Sequence, residues 1–184
     1  MKFVPILRVL CAILMLGSVS FGALAQDKMM MKNTVQEAYA KQAVGIEKKF
    51  VDLANATPQD KYNWRPAEGV RSVAESFMHV AVGNYITLMK MGGKVPEGIN
   101  PMQLEKSSTD KKAVVEAIKK SFMALNDFIK NIPAADLGKE VDFFGSKMSM
   151  LEMIVFSSNH QHETLGQSIA YARSNGVKPP WSGM

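Results

Sequence analysis

The chain is poor in the residues from which most small sites are built, with one cysteine and three histidines among 184 residues. A single cysteine closes no internal disulfide and builds no cysteine-rich zinc site. The sequence also lacks a nucleophile elbow with Ser-His-Asp order, a phosphate-cradling glycine loop and a paired-carboxylate signature; Gly92-Gly93 reads as a helix stop. Arg/Lys clusters interleaved with aromatics are missing, and basic residues sit beside acidic ones, as in Asp110-Lys111-Lys112. That pattern describes a solvated mixed-charge surface and gives no reason to expect a nucleic-acid partner. With 47% apolar residues and charges along most of its length, the chain is neither disordered nor polytopic in a membrane. What is present is enough chain to close one hydrophobic core.

The N-terminus has its own composition. Lys2 and Arg8 precede an apolar run from Val9 to Val19, and Ala23-Leu24-Ala25 follows at the spacing that signal peptidase reads. The run is too short to span a bilayer, so residues 1–25 are expected to be a cleaved signal peptide and the protein to be periplasmic or secreted, without a stable membrane anchor after processing. Cleavage leaves 184 less 25, or 159, residues (26–184) as a single domain and removes Cys11. The net charge falls from +5 to +3 with the loss of Lys2 and Arg8.

Beyond a short leader the chain divides into four stretches with apolar residues at three- and four-residue spacing, separated by segments holding most of the prolines. Each opens on a hydroxyl residue three positions before a carboxylate: Thr34/Glu37, Ser72/Glu75, Ser107/Asp110 and Ser149/Glu152. Such a pair satisfies orphan amides at a helix start. The spacing predicts helices from Thr34 to Ala56, Ser72 to Met91, Thr109 to Ile132 and Ser149 to Asn175. No strand pair is expected, and the aromatic Tyr62-to-Gly69 linker is expected to fold back on the bundle. Helices of this length suit an all-α four-helix bundle. The long Gly92–Ser108 connection argues against simple up-down order.

All three histidines fall on these helices. His160 and His162 point about 200° apart on a regular helix, so they cannot share an ion. His160 shares its face with Glu163, Thr164 and Gln167. Facing His79 across the bundle, it would form an open two-histidine metal site, with Glu163 as oxygen ligand or general base and Gln167 in support. A mid-helix histidine is also a common hydrogen-bonded packing residue; both readings stand.

The stretch Tyr62-Asn63-Trp64-Arg65-Pro66 through Arg71-Ser72 to His79 resembles the opening of the DinB/YfiT-like superfamily. His160 to Gln167, with Tyr171 to Val177 and Pro179-Pro180, is similar to its closing helix and tail, particularly in the secreted branch. The resemblance implies a four-helix bundle holding a divalent metal, often nickel or zinc, through one histidine of the second helix and two spaced four apart in the last. His79 and His160 match; the remaining position is Thr164, a poor replacement for imidazole, so that Glu163 from the adjacent position, or His162 on a distorted helix, would have to substitute. Characterised relatives include metal-dependent enzymes that use small thiols, such as thiol transferases and maleylpyruvate isomerases. A thiol-free mature chain would take any thiol from a cosubstrate.

The resemblance leaves two function classes open. One is a metal-dependent hydrolase or transferase of a small molecule; the other is a non-catalytic envelope protein that has lost stable metal binding through Thr164. A third, weaker reading is Cu(I) binding by Met148, Met150, Met153 and Met29 to Met31, against which methionine is a common core filler. Arg65 and Arg71 either orient an anionic substrate or hold the Trp64 linker, with the structural role favoured. Bundles of this type often pair, so a homodimer is an open alternative to the monomer.

Overall fold

The computed structural model describes residues 35–183, so the signal-peptide reading, Cys11, Thr34 and Met29 to Met31 lie outside the described residues. The described residues form four long helices, α1 (35–56), α2 (Val73–Lys90), α4 (Lys111–Asn131) and α5 (Met150–Ser174), with the one-turn α3 (Pro101–Leu104) in the connection between α2 and α4. Among the described residues no helix is long and apolar enough to cross a membrane.

Two of the expected capping boxes form in full. Ser72 caps α2 and Ser149 caps α5, each accepting from the amide three residues on, while Glu75 and Glu152 reach back to the cap amides. The Ser107/Asp110 pair does not form. Asp110 is itself the cap of α4, accepting from Ala113, and Ser107 donates to the Leu104 carbonyl at the end of α3. The carboxylate lies closer to the helix start and takes the capping role, which moves that start to Lys111.

The absence of strands was the second wrong expectation. Glu140–Phe143 (β1) and Ser146–Ser149 (β2) pair antiparallel through the two-residue turn Phe144-Gly145 and lead directly into α5. Phe144, at φ 54°, and Gly145, at φ 87°, both have positive φ, as a tight hairpin turn with the native strand twist demands.

Contacts along the helices set the topology. Gln36 near the start of α1 donates to carbonyls at the end of α4, and Lys111 at the start of α4 reaches Asn55 at the end of α1, so these two run antiparallel. Asn84 bonds Ser121 on α4, and Gly93 abuts Phe128 further along the same helix, so α2 and α4 run parallel. Ser76 with Ser168, and Asn84 with Gln161, set α5 antiparallel to α2. The order is therefore up, down, down, up. Residues 91–110 must return along α2 before α4 can start.

The core is built from Phe50, Leu53, Phe77, Ile118, Phe122, Leu125 and Met153, all almost wholly buried. Met153 thus lies within it, while Met148 and Met150 pack against its edge. The aromatic linker folds back as expected: Tyr62 is fully buried and donates its hydroxyl to the Ala54 carbonyl, and its own carbonyl accepts from Ala74.

Candidate functional site

The Ser72 cap fixes the start of α2 and so places His79 two turns in, with Gly83 one turn further on the same face. His160 approaches from α5. The two rings meet edge to face with centroids 5.0 Å apart, and His160 also lies parallel to Phe156 at 6.1 Å. Gly83 makes this approach possible. A Cβ built there would stand 2.5 Å from Cδ2 and Nε2 of His160, closer than any side chain tolerates. Glycine weakens a helix interior, so its place here reflects the need for space.

The returning connection supplies a residue that was not among the candidates. His79 donates from Nδ1 to Oε2 of Glu105 at 2.7 Å, and Arg71 donates from Nε to Oε1 at 2.8 Å. Partial burial pushes the Glu105 carboxyl up, but the hydrogen bonds and positive charge of Arg71 and His79 outweigh it and hold the group below its ordinary value. An ionised Glu105 accepts on both oxygens and fixes the His79 tautomer with the proton on Nδ1. The opposite shift occurs at His160. Burial, then the charge of His79, pushes its imidazole below the usual range; Glu163 opposes this and Arg71 adds to it. His160 is therefore a neutral imidazole at neutral pH.

The histidines open on a cavity of about 370 Å³ lined also by Arg71, Glu163, Thr164 and Gln167. The proposed ligands are thus brought to one cavity, but they do not close on a point. Among the described residues no group of three or more His, Cys, Asp or Glu side chains is arranged to hold an ion. Thr164, one turn after His160, is buried in the cavity wall. His162 points elsewhere, as helical geometry requires, and donates from Nδ1 to the Ser158 carbonyl on the exposed side of α5.

The two arginines divide their roles. Arg65 donates to the Val70 carbonyl at 2.6 Å and lies 3.4 Å from Glu75, which staples the linker. Arg71 clamps Glu105. Neither stacks on Trp64, whose ring packs edge-on against Tyr171 at 5.8 Å. Of the residues missed in the sequence, Gly83 carried a weak signal, a glycine in the middle of an apolar helix. Glu105 carried none, because only the path of the connection brings it 26 positions back to His79.

Crystal structures that share this architecture include two DinB-like proteins. One is a DinB-like protein from Bacillus cereus, 18% identical, with TM-score 0.68 over 78% of this chain and 95% of that one. The other is a DinB-like protein from Bacillus subtilis, also 18% identical, with TM-score 0.59 over 78% of this chain and 96% of that one. At such identity the likeness is one of fold. No curated protein matches the chain. The sequence profile of the DinB superfamily matches residues 42–168, a span that holds His79, Glu105, His160 and Glu163. On that match, the chain belongs to the DinB superfamily.

Proposed function

We propose that this is an exported DinB-superfamily enzyme, a divalent-metal-dependent hydrolase or transferase of a small molecule, with His79 and His160 as metal ligands. The observation that carries the reading is the pairing of a neutral His160 with a His79 whose Nδ1 is held by Glu105. A carboxylate on one ring nitrogen leaves the other free to ligate and raises its basicity. Two imidazoles, with the Glu163 carboxylate in the same cavity, fit a nickel or zinc ion that keeps open positions for water or substrate.

When bound, a divalent ion supplies Lewis acidity at the histidine pair. The chain's own residues do the rest. Glu105 and Arg71 orient His79. Glu163, exposed at the cavity mouth, accepts the proton of an attacking water or cosubstrate thiol. Gln167 lines the same wall and positions the substrate.

Elemental analysis of protein exported and processed in its own compartment should find a divalent metal approaching one per chain, lost in His79→Ala. Thr164→His should raise metal affinity. Failure of both the native chain and this variant to retain metal at micromolar concentration would sink the proposal. The second reading, a non-catalytic envelope protein, is favoured by one observation: buried Thr164 fills the wall one turn after His160. It predicts a metal-free native protein whose Thr164→His variant takes metal up.

A further inference from the structure

The histidine pair lies between two chambers of opposite character. On the α3 side, a cavity of about 500 Å³ shares Arg71 and Gln167 with the histidine cavity and adds Arg65, Lys106, Glu75 and Glu105 to its wall. Both of these carboxylates are already engaged: Glu75 accepts from the Ser72 amide at 2.7 Å, and Glu105 is held by Arg71 and His79. Three cations against two carboxylates leave one positive charge there. Glu163 is not part of this wall; it lines the middle cavity, which Arg71 also borders.

On the hairpin side, a chamber of about 130 Å³ shares His79 and His160 with the middle cavity and is walled by Phe143, Phe144, Phe156 and Ile86. An unbroken aromatic row leads to it, from Phe144 through Phe143 at 4.9 Å and Phe156 at 4.7 Å to His160 at 6.1 Å. A dry cavity of roughly 150 Å³ accepts benzene, so this chamber is the size of a phenyl or short branched alkyl group. Phe144 is the informative residue. It occupies a left-handed position, φ 54°, that favours Asn or Gly, and the residue is 66% exposed. The ring touches Phe143 and carries the Lys90 ammonium 4.7 Å above it, yet the residue stays largely exposed, and backbone strain of this kind gathers at binding sites.

We infer that the ligand is a small organic carboxylate with a phenyl-sized apolar body, its charge on the Arg71 side and its body against Phe144 and Phe156. The inference rests on the site proposed above. The one positive charge in excess within the α3-side cavity suits a monoanionic end group seated there, away from Glu163, and a guanidinium already aligned by Glu105 presents its remaining N–H groups without further ordering. Phe144 is then a specificity residue that closes over the body, and the groups of the ligand between charge and body lie beside the histidines.

Calorimetric titration of the processed chain with 3-phenylpropanoate, 3-phenylpropan-1-ol and propanoate tests this. The acid with the ring should bind at least about tenfold tighter than either partial probe. Phe144→Asn, which suits the turn and leaves the fold intact, should weaken 3-phenylpropanoate about fivefold or more while leaving propanoate unchanged. Arg71→Gln should bring the acid down to the level of the alcohol. Equal binding of acid and alcohol, or an unaltered Phe144→Asn, overturns the inference. Metal content is measured on the same samples. Discrimination among the probes by a metal-free chain upholds the ligand class and removes the metal reading; a metal-loaded chain that does not discriminate does the reverse.

Discussion

Gly83 and Glu105 do more for the candidate site than their chemistry suggests, because each acts on a histidine. Gly83→Ala should separate two effects that most substitutions confound. Alanine improves an exposed helix interior by up to about 1 kcal/mol, yet here its Cβ collides with the His160 ring. The expected outcome is a melting temperature close to that of the native protein together with metal affinity lowered about tenfold or more, the usual scale for a disturbed ligand orientation. Unchanged metal retention would show that the ring is not seated by that contact. Glu105→Gln keeps the shape and removes the charge. The folded carboxyl is held below its ordinary value, so its stabilisation is present above the unfolded-state pKa and is lost as pH falls through the lowered folded one. Thermal melts of the native chain should therefore decline more steeply through that acidic window than melts of Glu105→Gln. At neutral pH the variant should lose about 1 kcal/mol, since the clamp is partly solvated.

At the scale of elements, α2 and α5 were legible because their signals are local: apolar spacing inside, a hydroxyl and a carboxylate three apart at the start, a glycine after the end. The start of α4 was misplaced because two capping candidates lay within four residues, and only packing decides between them. The hairpin was missed because its turn is not one of the usual pairs. Val141 and Phe143 alternate as a strand should, but Phe144-Gly145 replaces the Asn-Gly that normally marks such a turn. The same oddity yields a stability prediction independent of any ligand. A left-handed phenylalanine costs about 1–2 kcal/mol, so Phe144→Asn should raise the melting temperature by about 2–8 °C in a domain of this size. A lower melting temperature would mean that the ring contributes packing through Phe143 and the Lys90 ammonium 4.7 Å above it that outweighs the strain.

The whole molecule depends on a layer of buried polar groups as well as on its apolar core. Gln161 is fully buried on α5, and its amide donates to the Tyr39 hydroxyl on α1 at 3.0 Å and to the Asn84 carbonyl oxygen on α2 at 2.9 Å. Asn84 in turn donates to Ser121 on α4 at 3.1 Å. Gln161 and Asn84 together thus link all four long helices at a single level, one residue from His160. An apolar core alone tolerates sliding of parallel neighbours such as α2 and α4, whereas a polar layer is satisfied in one register. Gln161→Met has nearly the same volume and removes these bonds together with a longer one to Ser157, leaving the buried Asn84 carbonyl oxygen without its partner and Tyr39 with Ser157 alone. Urea unfolding should show a loss of roughly 2–3 kcal/mol at unchanged denaturant slope. Because the Gln161 carbonyl oxygen has no partner of its own, part of that loss is offset by no longer burying it. A Gln161→Met variant as stable as the native chain would mean that the layer contributes register alone. The histidine pair should then lose its order while the bundle persists, which is seen as metal or ligand affinity falling without a change in melting temperature.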